Sequence, residues 1–191
     1  MMKSPYGIEN ITPEFLSMIK LPSDTGKRLN YLIVIPTTLE LRIGFPIGIA
    51  IISASLKASG RNVFTVNLQI KDQSDVESCL KHEILTNNID VVMTGGTSRC
   101  YEDVKQVIDL AKEIKPSIIT IVGGVIISAD PEVSMEALSN ADYGVIGEGE
   151  ITVNALAFAL ENDKDASELA GVICKNTKSR GGGGTKNTYC A

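Results

Sequence analysis

The chain has 191 residues, a formal net charge of -5 and a sequence pI near 5.0, long enough for one domain that buries about 68–70% of its unfolded surface without staples. With no Lys/Arg run longer than Lys27-Arg28, that balance argues against nucleic acid or an anionic membrane as the main partner and leaves small molecules and proteins. Cys79, Cys100, Cys174 and Cys190 are too far apart for a zinc knuckle or a readable disulfide framework. No signal-peptide core opens the chain and no apolar run approaches the ~20 residues of a spanning helix, so a cytoplasmic protein is expected.

Residues 1–30 read as a leader with a short helix, capped by Thr12 with Pro13 at its first position. Residues 31–175 then alternate strand and helix. Apolar Tyr31 to Ile35 is a buried strand, and Phe45 to Ser59 a helix begun by Pro46, stopped by Gly60 and packed through Ile49, Ile52, Ser53 and Leu56. Val63 to Val66 gives a second strand. Asp75 to Leu85 gives a helix with Val76, Cys79, Leu80 and Ile84 at helical spacing. Strand Val91 to Met93 leads into helix Glu102 to Lys115, whose Val104, Val107, Ile108, Ala111 and Ile114 form the clearest amphipathic stripe.

Ile118 to Val122 is nearly all β-branched, as expected for a parallel strand covered on both faces, and Asp130-Pro131 caps and starts a short helix. A fifth strand, Tyr143 to Ile146, precedes a helix from Glu150 to Leu160, and Gly171 to Cys174 adds an edge strand. Right-handed crossovers then imply an α/β fold, a flavodoxin-like or Rossmann-like doubly wound parallel sheet of order 2-1-3-4-5 with helices on both faces. Residues 176–191, NTKSRGGGGTKNTYCA, are polar and glycine-rich and read as a flexible linker, as though the chain were a module of a longer polypeptide.

Ligands of open α/β sheets lie outside the carboxyl ends of the strands, so the connections there are the candidate sites. The first, PTTLELRIGFPIG from Pro36 to Gly48, exceeds the usual length of about 2–6 residues. It lacks the GK[ST] of a phosphate loop, and its plainer explanation is an irregular connection in which Gly44 and Gly48 let the loop pack. TGGTSR, Thr94 to Arg99, offers amides and hydroxyls to a ligand, or else is a tight turn with Arg99 solvated. VGGV, Val122 to Val125, would let a ring system lie on the backbone, or else serves close helix–sheet packing.

GEGEIT, Gly147 to Thr152, sets Glu148 and Glu150 at a helix mouth, where they meet a ligand or complement the helix dipole. Its match to GxGxxG is partial, with Thr152 in the third glycine's place and the fifth strand before it. His82, the only histidine, sits mid-helix, no catalytic triad can be assembled and no metal ligands cluster.

The segments FPIGIAIISASLKASG, NNIDVVMTGGTSR, KEIKPSIITIVGGVIISADPE and ADYGVIGEGEITVNAL together resemble the N-terminal cobalamin (B12)-binding domain of B12-dependent radical S-adenosylmethionine enzymes. The likeness covers about residues 31–175, and its most specific part is the ordered set of Pro46 and Gly48, Gly123-Gly124 and Gly147-Glu148-Gly149-Glu150. It implies a corrin over the strand ends, with its nucleotide tail entering beside Gly95-Gly96-Thr97 and Gly123-Gly124 and the first loop covering the cobalt. The cofactor contacts it implies are Thr37, Thr38, Gly44, Pro46, Gly48, Thr94, Gly95, Gly96, Thr97, Gly123, Gly124, Gly147, Glu148, Gly149 and Glu150.

Other B12 domains carry DxHxxG in the first loop. This chain reads TTLELRIGFPIG, so a base-off cobalamin without a histidine lower ligand is expected. The resemblance also implies a methyltransferase whose radical S-adenosylmethionine barrel lies downstream in the same polypeptide. CxxxCxxC is absent, so the [4Fe-4S] cluster and S-adenosylmethionine are expected only in that missing domain, and this chain is non-catalytic alone. The rivals are a flavodoxin-like regulatory or interaction domain without cobalamin, favoured by bulky side chains above Gly95 and Gly123, and a nucleotide-dependent enzyme using GEGEIT.

Overall fold

The computed structural model describes residues 27–37, 47–70 and 75–175. The expected leader helix, most of the first connection with Thr38, Gly44 and Pro46, and the glycine-rich stretch from 176 onward lie outside the described residues. In chain order come β1 (Asn30–Ile35), α1 (Ile47–Ala58), β2 (Asn62–Asn67), α2 (Val76–Thr86), β3 (Val91–Gly95), α3 (Tyr101–Ile114), β4 (Ile119–Gly123), α4 (Val125–Ser128), α5 (Pro131–Ala137), β5 (Tyr143–Val145), α6 (Gly149–Glu161) and β6 (Val172–Cys174).

Strands β1 to β5 pair in parallel in the expected 2-1-3-4-5 order, and β6 extends the β5 edge in antiparallel. The edge strand expected from Gly171 to Cys174 is thus present, and its direction is what the sequence left open.

Alternate strand residues serve opposite faces, so apolar runs without a polar register let both faces be covered. Tyr31, Ile33, Val91, Met93, Ile121 and Val145 pack with Leu56 of α1 and Val153 and Leu156 of α6. Their neighbours Leu32, Val34 and Val92 pack with Leu80 and Ile84 of α2 and Val107 and Ala111 of α3, while Val122 meets Val104 and Ile108. Each large side chain fully buried in this way contributes about 1.5–3 kcal/mol. A charge at Ile108, which is 0% exposed, would break the α3 contact.

Strands β2, β3 and β4 run one or two residues past their expected carboxyl ends. β3 and β4 end on Gly95 and Gly123, which are ladder partners rather than turn residues. Helix α4 has no sequence signal, being only four residues. It forms because Gly124 turns the chain at φ 87°, Ile126 N–H donates to Gly96 O at 2.9 Å, and Ile126 and Ile127 are buried. The Asp130 cap is present, with its side chain accepting from Val133 N–H and Pro131 opening α5.

At the amino edge of the sheet, an aspartate before each of two strands ties in its neighbour. Asp90 accepts from Asn30 N–H at 3.0 Å and pairs with Lys115 at 3.2 Å. Asp142 accepts from Thr120 N–H at 2.8 Å and pairs with Lys112 at 2.6 Å.

Candidate functional site

The carboxyl ends of β3, β4 and β5 meet in register, Gly95 opposite Gly123 and Gly123 opposite Val145. A Cβ on Gly95 would stand 2.1 Å from Gly123 O, and one on Gly124 would stand 2.9 Å from Gly96 O. Gly96 N–H also donates to Gly123 O at 3.3 Å. The two glycine pairs therefore press main chain against main chain, and that approach alone requires Gly95 and Gly124. At Gly149, a Cβ would lie 2.9 Å from Ile52 Cδ1 of α1, and at Gly96 it would crowd Cys100 at 3.1 Å. Those positions have packing reasons, where the sequence suggests a tight turn at Gly96 and no packing role for Gly149.

Gly123 is different. Its added Cβ would meet only Val145, at an ordinary 3.9 Å, among the described residues. Gly48 and Gly147 have no described atom within 4 Å of such a Cβ. These three positions lie on β4, at the start of α1 and before α6, all at the carboxyl edge, and Gly147 is also held at φ 73°, a conformation that favours glycine. Ile47 (70% exposed) and Ile51 (43%), one turn apart on α1, and Val125 (57%) on α4 are exposed apolar side chains on elements that begin at this edge.

The hydroxyl of Thr94, on the last turnward half of β3, is buried without a hydrogen-bond partner among the described residues. A buried unpaired hydroxyl costs about 1–3 kcal/mol, so the position favours an outside acceptor or donor over self-sufficiency. Thr37 Oγ1 donates to Asp103 Oδ1 at 2.6 Å, fixing the root of the first connection on the first turn of α3. Thr97 is exposed with its Oγ1 3.7 Å from Cys100 Sγ. Glu148 is exposed at the N-cap of α6 and makes no capping hydrogen bond with its side chain. Glu150 is in the first turn, where its carboxylate complements the helix dipole.

His82 is exposed on α2 beside Thr86, away from the three strand ends. No group of three or more metal-ligating residues occurs among the described residues, and none of their helices is long and apolar enough to cross a membrane. A depression of about 640 Å³ lies at the opposite, amino edge, lined by Lys112, Asp142, Tyr143 and Lys175. Its lysines and Asp142 are engaged in the edge's own hydrogen bonds, so it is assigned no ligand.

Two groups of residues were missed from sequence. One is Asp103, which looks like an ordinary acidic first-turn residue. The other is a buried polar seam between α1 and α6 formed by Ser55, Ser59, Arg61, Asn154 and Glu161. In sequence these are unremarkable polar positions near helix ends, and only the parallel packing of the two helices brings them together.

The family model of the B12 binding domain matches residues 41–157. Among solved structures, the radical S-adenosylmethionine methyltransferase TsrM from Kitasatospora setae, with cobalamin and a [4Fe-4S] cluster bound, is 19% identical with a TM-score of 0.69, covering 79% of this chain and 30% of that one. The cobalamin-dependent S-adenosylmethionine radical enzyme OxsB, with aqua-cobalamin and S-adenosylmethionine bound, is 18% identical with a TM-score of 0.64, covering 78% of this chain and 21% of that one. Identities this low speak for a shared fold. The chain spans under a third of the length of either enzyme. No curated protein matches.

Proposed function

Because this chain belongs to the B12 binding domain family, we propose that it is the cobalamin-holding module of a radical S-adenosylmethionine methyltransferase. The observation that carries this is Gly123, a side-chain-free position in mid-sheet that its own neighbours do not require. Gly123, Gly147 and Gly48 leave main chain accessible at these strand ends, and Thr94, opposite Val122 on the other face of the sheet, adds an unpartnered hydroxyl at the same edge. Gly95, Gly96, Gly124 and Gly149 shape the floor from below, and Thr37, Thr97, Glu148 and Glu150 stand at its margin. Thr38, Gly44 and Pro46 belong to the same proposal through the resemblance. Domain bounds of 31–175, with a leader before and a linker after, go with it.

Cobalamin supplies methyl-transfer chemistry when bound, and the protein's part is to orient it and exclude water. The only histidine is exposed on α2, so this chain would offer no imidazole to a bound cobalamin, and the base-off form remains part of the proposal through the resemblance. The iron-sulfur cluster and S-adenosylmethionine belong to a barrel following in the same polypeptide, and the chain alone does no chemistry. The rival without cobalamin needs bulky side chains above Gly95 and Gly123. Gly95 is closed by backbone, but Gly123 is not filled by any described side chain, which favours the cobalamin reading.

Titration with hydroxocobalamin, followed by its visible spectrum and by calorimetry, should give one site of micromolar or tighter affinity. An unchanged spectrum and no heat would sink the proposal. Paramagnetic resonance of bound cob(II)alamin should show no nitrogen superhyperfine splitting, and a split signal would sink the base-off part alone.

A further inference from the structure

The seam between α1 and α6 holds an ion pair with both side chains only 3% exposed. Arg61 Nη2 and Nε donate to Glu161 at 3.0–3.1 Å. Tyr31 OH, fully buried, donates to the same carboxylate at 3.0 Å. The other guanidinium nitrogen, Nη1, donates to Ser59 Oγ at 2.6 Å and Asn154 Oδ1 at 3.0 Å. Asn154 is 0% exposed and turns its amide nitrogen the other way, donating to Ser55 Oγ at 2.6 Å and to Glu150 O at 2.8 Å. Ser55 also donates to Glu150 O, at 3.1 Å. A continuous polar chain thus runs from the start of β1 and the last turn of α6 up to the first turn of α6.

Buried pairs of this kind are rarely kept for stability, since apolar replacements of similar volume are often neutral or stabilising. What they fix is relative position. The positions fixed here matter at the carboxyl edge. Gly123 shares the sheet face of Ile121 and Val145, which α1 and α6 cover, so anything reaching Gly123 from that face passes beneath the first turns of those helices. A Cβ at Gly149 would stand 2.9 Å from Ile52 Cδ1, so the first turns of the two helices lie close together there and the access beneath them depends on their spacing.

We infer that Asn154, held by the Arg61–Glu161 pair, is a positioning residue that sets the gap between α1 and α6 through which the narrow part of the ligand reaches Gly123. This rests on the cobalamin reading above. The corrin is too broad to pass between two packed helices, so the seam governs the nucleotide tail and leaves ring binding alone. Asn154 acts through the Glu150 carbonyl and Ser55, without touching the ligand.

The test uses the full chain with two ligands, cobalamin and cobinamide, the latter having the ring without the nucleotide. The triple variant Tyr31→Phe, Arg61→Met and Glu161→Met removes the pair without stranding a charge. It should stay folded with a melting temperature near the wild-type value, the removal of buried charge offsetting the Asn154 amide oxygen left without its Arg61 donor, yet bind cobalamin about tenfold more weakly, as expected when a supporting shell is lost, with cobinamide affinity unchanged. Asn154→Asp is the second variant. It keeps an acceptor for Arg61 but loses the amide hydrogen bonds to Ser55 of α1 and to the Glu150 carbonyl in the first turn of α6, and should give the same selective loss should the triple variant not fold.

A folded variant with wild-type cobalamin affinity, or one that loses both ligands equally, would overturn the inference while leaving the cobalamin reading intact. Failure of the wild-type chain to bind cobalamin would overturn both.

Discussion

At the amino edge of the sheet, strand starts are tied by side chains, whereas at the carboxyl edge strand ends are left to glycine and main chain. Asp90 and Asp142 each take a neighbouring strand's N–H and a helix lysine at the amino edge. Among the described residues, nothing comparable binds Gly95, Gly123 or Gly147 by side chain, apart from Ser128 Oγ accepting from Gly147 N–H at 2.9 Å. One edge spends its polar groups on holding the strands, and the other keeps its surface free for something else. The difference teaches where substitutions should act on stability and where on binding.

The sharpest contrast lies within the carboxyl edge, between two glycines paired in register. Gly95→Ala places a methyl group 2.1 Å from a carbonyl oxygen that cannot retreat without opening the β3–β4 ladder. It should cost at least about 3 kcal/mol, and denaturant melts showing a change below 1 kcal/mol would break the backbone-contact account. Gly123→Leu, into open space, should leave the melting temperature within a few degrees while lowering cobalamin affinity by about a hundredfold, or 2.7 kcal/mol. Unchanged affinity in calorimetry would separate Gly123 from the site.

At the amino edge the effects should be on folding only. Asp142→Ala takes the acceptor from Thr120 N–H, Thr120 Oγ1 and Lys112. It should destabilise by about 1–2 kcal/mol, discounted for partial exposure, with cobalamin affinity unaltered. Loss of binding there would show that the edges are coupled. The smallest effect is expected at Thr94→Val, which removes the unpartnered hydroxyl. Stability should rise by about 1 kcal/mol while cobalamin binding weakens about fivefold. A fall in stability would mean that the hydroxyl has a partner in the free protein.

Apolar runs doubly covered by helices are strongly patterned, which is why the parallel order, the α3 stripe and the Asp130-Pro131 start were all legible in the sequence. The ends of elements were less so. Gly95 and Gly123 look like turn residues because glycine usually breaks strands, yet each is held in the ladder by the glycine pair opposite. The sequence also could not sort glycines by cause, since contact of Gly95 with Gly123, or of Gly149 with Ile52, depends on residues tens of positions away. The α1–α6 seam escaped for a related reason. Arg61, Asn154 and Glu161 each fit a solvated position, and burial of all three follows only from two helices lying side by side on one sheet face.

The antiparallel course of β6 has a consequence for routing. Its Val172 lies beside Val145 and its Cys174 beside Tyr143, so the polypeptide travels away from the open edge and is delivered at the far one, where Lys175 is moored to Ser139 O at 2.6 Å. Anything attached beyond Lys175 therefore starts on the wrong side of the sheet from Gly123. A domain attached there, as proposed above, would have to double back along the flank by roughly 16 Å, the length of a five-residue strand such as β4, to cover the open strand ends, which would make tether length a variable in how it reaches them.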